Sequence, residues 1–134
     1  MTTSVLVDTS VVMAVLLREQ QRDAIIAQTK NTNIVAASSM PFEVANALSA
    51  SIKRKRMVLD EAINAFNQYR TMRIRLVQPD YWEALRLCEK YNLYAYDAYV
   101  LAAATSLVLP IATLDKRMGA VAETLGLMWM RFQP

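Results

Sequence analysis

The chain contains no histidine, and its 134 residues include only one cysteine, Cys88, and two glycines. Each scarcity removes a class of chemistry. Without histidine there is no Ser-His-Asp triad, no imidazole general base and no ordinary zinc site. A single cysteine closes no internal disulfide and builds no cysteine metal site, which points to a reducing, cytoplasmic setting. No apolar run reaches the roughly 18 residues that mark a membrane span. The longest, Ala98 to Ala104, is broken by Thr105 and Ser106. The opening Met-Thr-Thr-Ser-Val-Leu-Val-Asp8 lacks a basic start and meets an acid early, so no export signal is expected. There is no repeat and no linker-like stretch, and the length suits one domain over residues 1–134. Catalysis, if present, must rest on carboxylates, hydroxyls, lysine or tyrosine.

What is present alternates. Ser4 to Val7 reads as a buried strand ending at Asp8, and Thr9 offers a hydroxyl at the start of a helix running to Leu17. Asp23 to Lys30 is a second predicted helix and Asn33 to Ala37 a second strand. Ser38-Ser39-Met40-Pro41 then starts a third helix with Glu43 in its first turn and Val44, Ala47, Leu48 and Ile52 at helical spacing. Asp60 is expected to cap a fourth helix to Arg70, followed by a strand over Ile74 to Val77. Asp80 with Glu83 resembles a capping box for a helix from Tyr81 to Tyr91. Asp97 is expected to open an alanine-rich helix to Leu107. Pro110 to Leu114 reads as a strand ending at Asp115, Lys116 to Leu125 as the last helix, and Leu127 to Phe132 as an edge strand. Strands alternating with helices predict a three-layer α/β/α fold around a largely parallel sheet.

Ligands of such sheets gather beyond the carboxyl ends of the strands, where Asp8 and Asp115 are expected. Glu43 and Asp97 sit at helix starts among apolar residues. The four make up a third of the twelve acids in the chain. Two carboxylates about 4 Å apart repel by roughly 4 kcal/mol at an effective dielectric of about 20. A hard divalent cation, Mg²⁺ or Mn²⁺, is the natural compensation and would activate water on a phosphodiester. The bland alternative is that each acid is a helix cap or first-turn residue favoured by the dipole.

Four segments carry a family resemblance. Val-Leu-Val-Asp8-Thr-Ser-Val, Pro-Phe-Glu43-Val-Ala-Asn-Ala-Leu, Tyr-Asp97-Ala-Tyr-Val-Leu-Ala-Ala-Ala and Ile-Ala-Thr113-Leu-Asp115-Lys-Arg-Met resemble, in order and approximate spacing, the motifs of PIN domains of the VapC-like toxin subgroup. The resemblance spans nearly the whole chain. It implies a Mg²⁺- or Mn²⁺-dependent endoribonuclease, a homodimer, and a cognate antitoxin that covers or enters the acidic site. It makes Asp8 and Asp97 the usual direct metal ligands, with Glu43 and Asp115 completing the site. Asp115 joins the candidate metal set, and Ser10 and Thr113 hold the site in position.

Other features have two readings. The run Lys53-Arg54-Lys55-Arg56 is a candidate RNA contact, or a solvated helix end. Arg70, Arg73 and Arg75 form a second basic stretch. Tyr91, Tyr94, Tyr96 and Tyr99 cluster around Asp97 and could stack on unpaired bases, although residues so placed more often pack in a core or dimer interface. Met128, Trp129 and Met130 fit an edge strand. The net charge of +3 decides little. The rival functions are a non-catalytic PIN-like module binding RNA or protein, and a receiver-like phosphoacceptor, which lacks its expected paired acids and lysine.

Overall fold

A computed structural model describes residues 3–133. Strand β1 (Thr3–Val7) runs through Asp8 into helix α1 (Thr9–Leu16), and α2 (Arg22–Thr29) leads back to β2 (Thr32–Ala37). Then come α3 (Met40–Lys53), α4 (Leu59–Thr71) and β3 (Ile74–Val77). The chain continues with α5 (Tyr81–Tyr91), α6 (Ala95–Leu107), β4 (Ile111–Ala112), α7 (Lys116–Thr124) and β5 (Trp129–Met130).

All five strands are parallel, in the order β3-β2-β1-β4-β5. Val5 lies opposite Ile34, Ala36 opposite Leu76, and Val7 opposite Ala112. The chain fills one side of β1 with β2 and β3, then crosses to the other side with β4 and β5. The order therefore reverses between β1 and β4, and an open α/β sheet forms its crevice beyond the carboxyl ends of the strands at such a point.

Successive strand residues face opposite layers. Val5, Val7, Ala36 and Ala112 pack with Val11, Val12, Met40, Val44, Leu48, Ala62 and Tyr69 from α1, α3 and α4. Leu6, Val35, Ala37 and Ile111 pack with Leu87, Ala98, Leu101, Ala102, Met118 and Ala122 from α5, α6 and α7. This is the expected three-layer arrangement, and burial on both faces explains why β1 and β2 read as apolar runs rather than as alternating ones. The alanines of α6 bring its backbone close to β1 and β2.

Several boundaries differ from the sequence expectation. Helix α4 starts at Leu59 rather than after Asp60, because Glu61 reaches back and its Oε1 accepts from the backbone N–H of Val58 at 3.0 Å. Helix α6 starts at Ala95, two residues before Asp97, which frees that carboxylate from capping. Asp80 caps α5, accepting from Glu83 N–H at 3.1 Å, but Glu83 turns to Arg86 at 3.0 Å, so the box is half formed. Strands β4 and β5 pair over two residues each, shorter than the runs 110–114 and 127–132.

Candidate active site

Asp8 leaves β1 at the reversal point and is 7% exposed. It occupies the N-cap position of α1, yet its side chain makes no capping bond. Its Oδ2 instead accepts two hydroxyl protons, from Ser10 at 2.8 Å and Thr113 at 2.7 Å. Both hydroxyls are oriented by the loop that leaves β4. Ser10 Oγ accepts from Leu114 N–H at 3.1 Å, and Thr113 Oγ1 accepts from Asp115 N–H at 3.0 Å. Each hydroxyl, taking a proton on one side, gives its own to Asp8. Both donors land on Oδ2, so among the described residues Oδ1 has no protein donor.

Glu43 stands in the first turn of α3, half-buried, with Oε2 accepting from Ser39 Oγ at 2.8 Å. Burial pushes its carboxyl above the ordinary 4.5; the Ser39 hydrogen bond opposes this, while the charges of Asp8 and, less strongly, Asp97 add to it. Thr9 is near enough to favour the charged form of Glu43. Its buried Oγ1 nevertheless finds no partner of good hydrogen-bond geometry, alone in this among the buried side-chain polar atoms of the described residues. A buried hydroxyl without a partner is costly, and here it lies beside acids that share a field.

Asp97, half-buried in the first turn of α6, is likewise raised above its ordinary 3.8, first by burial and then by Asp8 and Asp115. Arg117 opposes that shift. Asp115 is exposed and caps α7, its Oδ1 accepting from the N–H groups of Arg117 at 2.9 Å and Met118 at 3.1 Å. The capping reading therefore holds for Asp115 through one oxygen and fails for Asp8. The charges of Asp8 and Asp97 act on Glu43, and those of Asp8 and Asp115 act on Asp97, so each acid lies within electrostatic range of at least one other. Among the described residues, no three Asp, Glu, Cys or His side chains form a group that could hold a metal ion by themselves. The donors are all carboxylate and hydroxyl oxygens, which suit a hard cation that keeps part of its water shell and takes one or two protein carboxylates directly.

The basic runs singled out in the sequence lie elsewhere. Lys53 is ten residues beyond Glu43 on α3, roughly 15 Å along the axis, and exposed Arg54, Lys55 and Arg56 follow it. Arg73 and Arg75 line a groove with Ser4, Thr32 and Asn33 at the amino ends of the strands, away from the acids. The tyrosines around Asp97 partly satisfy one another: Tyr99 meets Tyr81 and Tyr96 edge-on at 5.7 and 5.8 Å, while Tyr94 stays exposed. Cations that the sequence reading passed over do flank the acids. Arg117 Nη2 donates to the carbonyls of Tyr91 and Asn92 at 2.8 and 2.9 Å, tying α7 to the loop that leads into α6 and Asp97. The adjacency of Lys116 and Arg117 to Asp115 was the available signal.

Comparison with known proteins agrees with this architecture. The crystal structure of PAE2754 from Pyrobaculum aerophilum superposes with a TM-score of 0.72 at 22% identity, covering 95% of this chain and 83% of that one. VapBC2 from Rickettsia felis, bound to a DNA fragment from their promoter, gives 0.69 at 13% identity, covering 98% and 100%. FitAcB from Neisseria gonorrhoeae gives 0.66 at 16% identity, covering 94% and 96%. No curated protein matches by sequence. Identities this low establish a common fold. The PIN domain family model matches residues 5–124, a span that includes Asp8, Glu43, Asp97 and Asp115, and the chain belongs to the PIN domain family.

Proposed function

We propose that the chain is a cytoplasmic, Mg²⁺- or Mn²⁺-dependent endoribonuclease, the toxin of a toxin–antitoxin pair, working as a homodimer restrained by a protein antitoxin. The observation that carries the enzymatic part is Asp8. It is a buried carboxylate at the sheet's reversal point with both donors on one oxygen and two more acids, Glu43 and Asp97, in its field. The toxin part is supported by the motif resemblance to VapC-like proteins and by the fold shared with chains of VapBC and FitAcB structures. No helix among the described residues is long and apolar enough to cross a membrane. Trp82 and Leu85, 71% and 66% exposed on α5, support a second copy as partner.

In this reading Asp8 and Asp97 would hold the cation directly, with Asp115 and Glu43 completing its site, and Asp8 Oδ1 carries no protein donor that would compete with it. The cation supplies Lewis acidity, lowering the pKa of a bound water and neutralising phosphate oxygens. Ser10 and Thr113 hold the carboxylate plane of Asp8. Glu43, with Oε2 fixed by Ser39 and its proton affinity raised by burial, is placed to accept a proton from an attacking water. The unpartnered Thr9 hydroxyl would be available to a water or ligand in the loaded site.

The test uses protein denatured and refolded to remove any inhibitor. RNA cleavage is measured with Mg²⁺, with Mn²⁺, with EDTA, and in Asp97→Asn. Discrete cleavage that disappears with EDTA and in the variant is expected. A folded protein inert toward whole-cell RNA in every metal would instead favour a non-catalytic binding module.

A further inference from the structure

Beside Thr113 a cavity opens, about 550 Å³ in volume and lined by none of the four acids. Gln21, Thr113, Lys116, Trp129, Arg131 and Gln133 line it, giving two cations and two amides beside an aromatic ring. Its size lies within the roughly 300–1,000 Å³ of small-ligand sites. Thr113 is shared by the cavity and the acidic crevice, and consecutive residues divide between them. Asp115 belongs to the acids and Lys116 to the cavity, so the cavity adjoins the loop that supports the acidic crevice.

The ring is held in place. Trp129 Nε1 donates to the Thr113 carbonyl at 3.1 Å. Gly119 packs so closely on the indole that a Cβ there would stand 2.1 Å from Cε2 and 2.2 Å from Cδ2. These are the two fusion atoms of the rings, reachable only through a face. The guanidinium of Arg131 lies over the ring 3.8 Å from its centroid, which requires the other face. Gly119, Trp129 and Arg131 thus form a stack whose last layer is a planar cation. Glu123 approaches Arg131 at 3.5 Å, but both side chains are more than half exposed, so that pair holds Arg131 weakly. Lys116 has no ion-pair partner among the described residues.

A planar cation backed by indole, an ammonium beside it and amides around them suit a nucleotide. Guanidinium planes and aromatic rings stack on unpaired bases, and ammonium groups take phosphate. We propose that this cavity binds the nucleotide adjoining the scissile phosphate of single-stranded RNA, Arg131 stacking on its base and Lys116 taking its phosphate. The assignment rests on the ribonuclease reading of the acids for the identity of the polymer.

Binding is measured by anisotropy of a fluorescein-labelled oligouridylate in EDTA, so that no cleavage intervenes. Lys116→Gln and Arg131→Gln are each expected to weaken binding about 5- to 10-fold, and Lys116→Gln, which removes the phosphate contact, should also flatten the salt dependence by about 0.7 in log–log slope. Arg131→Lys should keep the slope and still lose affinity, because the charge survives while the plane does not. Lys30→Gln, exposed after α2 near the amino end of β2, serves as the remote control and should leave both quantities unchanged. Three results would overturn the proposal: no binding by the unaltered protein, pocket variants that bind like it, or double-stranded RNA bound equally well with the same dependence on Arg131. Cleavage with Mg²⁺ or Mn²⁺ is scored separately. Its absence would sink the ribonuclease reading, while the binding series alone judges the cavity.

Discussion

Thr113 stands 105 positions from Asp8 in the chain, yet its hydroxyl donates to Asp8 Oδ2 across 2.7 Å. That bond joins the ends of β1 and β4, neighbours at the point where the strand order reverses. Thr113 is 1% exposed, so the bond is sheltered from competing water. Thr113→Val keeps the shape, removes the donor to Asp8 and strands the Asp115 N–H that the hydroxyl accepts. The expected cost is about 1–3 kcal/mol of stability for the lost partners. Cleavage should fall roughly 10- to 100-fold, the usual penalty for losing an outer support of a metal ligand. Thr113→Ser should restore most of both. Melting curves and initial rates on the three proteins decide it; a Val variant with unchanged rate would remove Thr113 from the site.

The raised carboxyls of Glu43 and Asp97 predict a pH dependence with a definite sign. A group whose folded-state pKa exceeds its unfolded value favours the fold fully below the unfolded value, and that contribution is lost as pH rises through the folded value. For metal-free protein the loss begins near the ordinary values, 3.8 for Asp97 and 4.5 for Glu43, and continues upward through the raised ones. At neutral pH the metal-free fold therefore bears the burial of these charged carboxylates and, after that, the repulsion of neighbouring acids. Asp97→Asn removes one of those charges and should raise the melting temperature in EDTA at neutral pH while abolishing cleavage. Adding Mg²⁺ or Mn²⁺ should stabilise the unaltered protein and have little effect on the variant. A variant that melts lower than the parent in EDTA would show that Asp97 is held by favourable contacts instead.

Much of this was legible because the physics was local. Val-Leu-Val followed by Asp8 reads as a strand meeting its exit, and the alternation of strand and helix dictates parallel pairing. Glu43 could be placed because Pro41 marks the start of its helix. The sequence does not state which strands become neighbours, and the union of β1 with β4 makes Thr113 a partner of Asp8. How the cations stand relative to the acids was not legible for a related reason. Lys53 to Arg56 stand out as a run, yet a helix carries them away from the acids. Lys116 and Arg117 directly follow Asp115, but Arg131 joins Lys116 only when β5 pairs with β4. Asp97 was expected to open its helix; an earlier start at Ala95 released it from that duty.

Arg117 is a positioning residue on this geometry. One nitrogen of its guanidinium bonds the carbonyls of Tyr91 and Asn92, where the chain turns through the left-handed Asn92 (φ 54°) toward α6. Its charge also favours ionised Asp97. Arg117→Gln should lower kcat about 10-fold with little change in KM, in line with the typical worth of an outer support. The side chain is exposed, so the melting temperature should move little. A change confined to KM would make Arg117 a substrate contact.

Gly119 has no room for a side chain. Gly119→Ala would drive a methyl into the indole of Trp129, backbone against a ring that is itself bonded to Thr113. Overpacking of this kind costs about 1–3 kcal/mol. The ring should shift, and Trp129 emission in a Trp82→Phe background should report its new surroundings. An alanine variant with native stability and unchanged emission would contradict the close packing of α7 on β5.

Val108 presents the opposite case, strain without compensation. It ends α6 in the left-handed conformation, φ 53° and ψ 53°, which a β-branched side chain resists, and it is 81% exposed, so little packing offsets that strain. Its backbone N–H bonds Ala104 and Thr105 carbonyls, and any residue except proline supplies that donor. Val108→Asn retains the cap and accepts the conformation, as asparagine does at many helix ends. Stability should rise by about 1 kcal/mol, equivalent to a melting shift of roughly 3–4 °C. Cleavage should not change, because Val108 leads into the amino end of β4 while the acids stand beyond its carboxyl end. A lower melting temperature for the asparagine variant would mean that the exposed valine is covered in solution.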